Sequence, residues 1–84
     1  LQAAVGVAQL ERLDEFVQRK RQIGQYYTKL LSDIKEIQLP LDKTDYADNI
    51  YWVYGIVLNP DLPCGAAEIM NRFKADQIGT RPFF

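Results

Sequence analysis

The sequence has no histidine. Without an imidazole it cannot assemble a Ser-His-Asp or Cys-His nucleophile or place a histidine acid/base at neutral pH. Its single cysteine, Cys64, excludes an internal disulfide and fits a reducing, cytoplasmic setting. One cysteine and no histidine cannot close a structural zinc site, so no metal is expected. Neither sign of charge is in excess: ten Lys and Arg against eleven Asp and Glu leave a formal −1. That is no footprint for nucleic acid or for an anionic membrane. The longest apolar run, residues 50–58, is about half of what a membrane span needs, and no signal peptide is visible.

What is present is globular in composition, 48% hydrophobic and 25% charged. Residues 1–35 carry a helical period, with Leu1, Val5, Ala8, Leu13, Phe16, Val17, Ile23, Tyr27, Leu30, Leu31 and Ile34 recurring at steps of three and four. The remaining positions are mostly good helix formers. One helix of this length would reach about 50 Å, beyond the 25–30 Å or so of a compact domain this small. It would expose its stripe unless a partner covers it. Ala3, Ala4, Gly6 and Val7 form a small-residue surface suited to close packing on a neighbour. Gly24 reads as merely tolerated, and Arg19-Lys20-Arg21 as a solvated face balanced by Glu11, Asp14 and Glu15.

The first helical residues lack the Ser, Thr, Asp or Asn that usually accepts an orphan N–H, and no initiator methionine precedes them. The other end stops on Phe83-Phe84. Both ends lead us to expect a segment of a larger protein. Between them, residues 36–40 alternate and close on Pro40, the pattern of a short edge strand. Residues 50–58 are aromatic and β-branched, a strand expected to be covered on both faces. Residues 64–77 return to the helical period, and Ile78 begins a last extended segment. The predicted class is α+β: a long N-terminal helix, then a small layer of antiparallel sheet and helix.

Few residues suggest chemistry. Arg81, between Thr80 and Pro82, carries a fork that suits a carboxylate or phosphate, although residue type alone favours a surface arginine. Phe83 and Phe84 read either as a ligand wall or as core aromatics. Tyr51, Trp52 and Tyr54 resemble a base-stacking platform, but no Lys or Arg lies on that stretch, so core packing is the better reading. Cys64, opening the later helix, reads as a space-filler or as a thiol activated by the helix terminus. None of Lys20, Lys29, Lys35, Lys43 and Lys74 is placed for Schiff-base chemistry. No catalytic residue is assigned.

Residues 1–14, LQAAVGVAQLERLD, resemble the long-helix signature of the DegT/DnrJ/StrS sugar aminotransferases, pyridoxal-phosphate enzymes that act on nucleotide-linked keto-sugars. Further matches follow in order: RKRQIGQYY at 19–27, YWVYGIVL at 51–58 and IGTRPFF at 78–84. The resemblance implies a fold-type-I, aspartate-aminotransferase-like enzyme. Residues 1–35 would be its interdomain helix and 36–84 part of its small C-terminal domain. The Schiff-base lysine, the aspartate at the pyridine nitrogen and most phosphate contacts would lie upstream, leaving this segment inactive alone. The parent, a cytoplasmic homodimer, would move an amino group from glutamate to a keto-sugar nucleotide, with pyridoxal phosphate as electron sink. Arg81, Thr80 and Phe84 would then line the substrate side, and Ala3, Ala4, Gly6 and Val7 would pack on the large domain. Arg81-Pro82-Phe83-Phe84 is most similar to the perosamine-synthase-like branch, which uses GDP-4-keto-6-deoxymannose for surface-polysaccharide or glycoside biosynthesis. The alternative, from the residues alone, is a self-standing helical module that dimerises through its first helix without catalysis.

Overall fold

The computed structural model describes residues 1–83. Three helices, α1 (Gln2–Leu10), α2 (Leu13–Leu31) and α3 (Ala66–Ala75), accompany two short strands, β1 (Ile37–Gln38) and β2 (Val57–Leu58). The strands pair antiparallel with Ile37 opposite Leu58 and Gln38 opposite Val57. The α+β class and the antiparallel sheet agree with the sequence reading. So does the shape: the radius of gyration is 16.1 Å, against about 12 Å for a compact domain of this length.

The single long helix does not hold. It breaks at Glu11–Arg12, although neither proline nor glycine is there. Glu11 keeps helical dihedrals (φ −59°, ψ −26°), and Arg12 departs from them (φ −115°, ψ 16°). Arg12 donates from Nε and Nη2 to the two Glu15 carboxylate oxygens at 3.1 and 2.9 Å, and its guanidinium lies 4.9 Å from the Phe16 ring centre. Arg12 thereby holds the Glu15 carboxyl below the usual carboxylate range. Asp14 and Glu15 in the first turn of α2 meet the positive end of its dipole. Arg12 thus starts a second helix where the apolar period alone would run straight through.

The covered strand is also corrected. Only Val57–Leu58 is β-structure, while Trp52 is 67% exposed and Val57 61% exposed. Tyr51 adopts φ 54°, a left-handed conformation that ends any extended run through residues 50–54. Likewise residues 78–83 are irregular, with no strand assigned to them.

Candidate functional site

Residues 41–54 form a latch onto α2. Tyr51 is the one buried hydrophobic residue among those described, 4% exposed. Its ring lies on Gly24, the only buried residue of α2, and a Cβ at Gly24 would sit inside the ring's van der Waals surface. Gly24 is therefore required, not tolerated. Asn49 holds the strained Tyr51 backbone through all of its polar groups. Its Oδ1 accepts from Tyr51 N (2.7 Å), its Nδ2 donates to the Leu41 carbonyl (2.9 Å), its N–H donates to the Asp42 carbonyl (2.9 Å) and its carbonyl accepts from Arg21 Nε (3.3 Å). Lys20 Nζ reaches the Trp52 carbonyl at 3.5 Å. Half-buried Arg21 is thus a clasp on the turn, while Arg19 and Lys20 stay on the exposed face that the sequence reading gives them.

The polar ends of the rings are satisfied too. Tyr51 donates its hydroxyl to Asp42 Oδ1 at 3.0 Å. Thr28 Oγ1 gives its proton to the Gly24 carbonyl (3.0 Å), so the Tyr54 hydroxyl donates to Thr28 Oγ1 (2.8 Å). Tyr54 stands 5.9 Å from Tyr51, nearly parallel, and 5.2 Å from Tyr27, tilted. Two of the three suspected platform aromatics therefore pack inward, and Trp52 does not.

Burial, and then the hydrogen bond and charge of Asp42, raise the Tyr51 phenol above its usual value. The fold consequently favours the protonated ring. That contribution is complete below about pH 10, where unfolded tyrosine is also neutral, and is lost as pH climbs through the higher folded value. Tyr51→Phe should abolish this alkaline loss and cost about 1 kcal/mol at neutral pH for the missing Asp42 bond. Urea midpoints of variant and parent, compared from about pH 7 to about pH 11, check both effects.

The residues singled out from sequence do not converge on one cleft. Thr80 and Arg81 are exposed on the C-terminal segment, and Arg81 forms no ion pair with any described residue. Phe83 rests against Gly55, within 3.1 Å of where a Cβ would be. Phe84 lies outside the described residues. Ala3, Ala4, Gly6 and Val7 are exposed on α1, where no residue is buried and nothing lies within 4 Å of a Cβ placed on Gly6. An open groove of about 660 Å³ runs between sheet and helices, lined by Leu31, Ile37, Ile56, Leu58, Ile69 and Phe73. Half-buried Cys64 borders it, two residues before α3 rather than within it. The groove is mainly apolar; its charged lining residues Glu36, Glu68 and Arg72 are exposed, and Glu68 and Arg72 are paired with each other at 2.7 Å. Asn49 and Gly55 escape the sequence reading, and Gly24 is misread by it. A glycine between Tyr54 and Ile56, and an asparagine two residues before an aromatic (the spacing of an Asx turn), were the available signals.

The whole chain, residues 1–84, matches the DegT/DnrJ/EryC1/StrS aminotransferase family. The chain belongs to that family. It is 32% identical to the GDP-perosamine synthase of Vibrio cholerae over 98% of its own length and 22% of that protein. With the GDP-perosamine synthase of Escherichia coli O157:H7 it shares 33% identity over 98% of the chain and 21% of the relative. With the dTDP-4-dehydro-2,3,6-trideoxy-D-glucose 4-aminotransferase of Saccharopolyspora spinosa it shares 35% over 81% and 18% respectively. The chain spans about a fifth of the length of these curated relatives. No solved structure matches it. The DegT family resemblance, read first from the helix signature, is therefore established.

Enzymes of the DegT family are in general pyridoxal-phosphate-dependent, and the described residues do not fit that cofactor. All five lysines are exposed rather than enclosed in the apolar pocket that a Schiff-base amine uses. Every aspartate and glutamate is exposed as well, and no charged side chain is buried to face a pyridine nitrogen. Among the described residues no helix is long and apolar enough to cross a membrane.

Proposed function

We propose that this chain serves as strut and lid in a cytoplasmic, homodimeric, fold-type-I aminotransferase that moves an amino group from glutamate to a nucleotide-linked keto-sugar. GDP-4-keto-6-deoxymannose is the substrate proposed, for surface-polysaccharide or glycoside biosynthesis. The observation that carries this is the colinear family match over residues 1–84 together with relatives named as sugar-nucleotide aminotransferases. In this reading pyridoxal phosphate and its lysine belong to other polypeptide, a large domain that covers α1 at Ala3, Ala4, Gly6 and Val7. Residues 1–35 join the two bodies, and 36–84 form part of the small domain. Thr80, Arg81 and Phe84 face the sugar nucleotide.

The charge-free surface of α1 supports a covering partner. Its nine residues, QAAVGVAQL, are apolar nearly all round, the composition of a helix surrounded by protein. The same observation favours a second reading, a helical module that dimerises on its own. One preparation separates them. The chain treated with one equivalent of pyridoxal phosphate and borohydride should carry no stoichiometric phosphopyridoxyl-lysine by mass spectrometry, and should sediment without forming a discrete dimer. A lysine labelled to completion contradicts the aminotransferase assignment of parts, and a folded, monodisperse dimer favours the module.

A further inference from the structure

Gly55 lies in an apolar stretch between Tyr54 and Ile56, where a glycine forgoes side-chain packing. Its backbone does not need glycine: no glycine of the described chain has positive φ. The space does. A Cβ on Gly55 would lie 3.1 Å from Phe83 Cε2 and 3.4 Å from Cδ2, so the bare Cα admits one edge of the Phe83 ring, whose residue is otherwise 78% exposed. The Gly55 side of this contact is fixed. Tyr54, its neighbour, is bonded through Thr28 to α2 and stacked on Tyr51, which Asn49 and Gly24 hold in place. A continuous path of contacts therefore runs from α2 through the latch to Gly55, and from Gly55 to the segment that carries Thr80 and Arg81.

We propose that Gly55 is the positioning residue of the C-terminal segment, setting how closely residues 80–83 approach the latch and thus where Arg81 is presented. The inference rests on the reading of Thr80 and Arg81 as substrate-side residues. It makes Gly55 a determinant of nucleotide-sugar binding although it has no side chain to touch the ligand.

Gly55→Ala is a clean probe, because alanine suits the backbone and reduces the freedom of the unfolded chain. The fold should keep its urea midpoint or gain slightly, while Phe83 shifts by a few tenths of an ångström. In the 84-residue chain, nuclear Overhauser contacts should link the Gly55 α-protons to the Phe83 ring, and Gly55→Ala should move the Phe83 ring resonances while leaving those of Tyr27 in place. In the intact gene product, with GDP-4-keto-6-deoxymannose and glutamate, Gly55→Ala should raise KM for the sugar nucleotide about three- to tenfold at nearly constant kcat, since small displacements of a binding group are costly. Phe83→Leu, which withdraws the crowding Cε2, should reduce the effect of Gly55→Ala in a double-mutant cycle. Absent contacts, or an unchanged KM in an active enzyme, overturn the positioning role. An intact gene product inactive on nucleotide sugars overturns the functional reading and the positioning role with it, while the Gly55–Phe83 contact stands or falls on the resonance data alone.

Discussion

Gly24→Ala should destabilise the chain by about 2–3 kcal/mol, where a mid-helix glycine replaced by alanine ordinarily gains about 1 kcal/mol. The reversal comes from Tyr51. Its ring occupies the space a Cβ would need, and backbone on the α2 side cannot yield without breaking the helix. The ring must leave, forfeiting about 2–3 kcal/mol of buried aromatic surface and about 1 kcal/mol for the Asp42 bond, less the helix-propensity gain. Tyr51 is the one buried hydrophobic residue among those described, so no remaining core absorbs the loss. Gly6→Ala is the matched control. Nothing lies within 4 Å of its Cβ, and the isolated chain should gain up to about 1 kcal/mol from the same substitution. Denaturant midpoints followed by fluorescence of Trp52, the single tryptophan, give both values. A Gly24→Ala variant as stable as Gly6→Ala would falsify the latch.

Arg81→Ala in the intact gene product should raise KM for the nucleotide sugar about 10- to 100-fold, with a smaller change in kcat. The range is that of a charge-assisted hydrogen bond worth about 1.5–3 kcal/mol. Arg81 makes no ion pair with any described residue, so its guanidinium has no carboxylate among the described residues to release before meeting an anionic ligand. Arg81→Lys should recover only part of the loss, because an ammonium cannot reproduce the planar two-point fork. Initial rates at varied nucleotide-sugar concentration decide the matter. Equal KM for parent and Arg81→Ala would return this residue to the ordinary surface.

The helices and the β1–β2 pair were readable because each is a local pattern: apolar residues at steps of three and four, or a short alternation that ends on Pro40. The break at Arg12 had a local sign too, the acidic pair Asp14-Glu15 in the first turn of α2, but the continuous apolar stripe masked it. The latch was not readable, because its terms are long-range. Whether Gly24 is tolerated or required depends on a tyrosine 27 positions further on, which composition cannot pair with it. The same apolar richness that reads as a strand over residues 50–58 is, at Tyr51, the requirement of one ring for one vacancy on α2. Asn49 spends its side chain on backbone groups of residues 41 and 51, a use that its residue type permits but does not announce. The residues proposed to place the substrate differ in the same way: Arg81 shows its chemistry in its residue type, and Gly55 has none to show.

Because Arg12 alone leaves helical dihedrals between α1 and α2, a single peptide junction governs the heading of everything before it. The nine residues of α1 make a lever of about 14 Å. Rotating that joint by about 20° swings the far tip by about 5 Å from this geometry, yet disturbs no bond of the Tyr51 latch. In the proposed enzyme, anchorage through α1 and retention of the latch's shape are thus mechanically decoupled, so the rest of the chain can be re-aimed as a unit without being rebuilt.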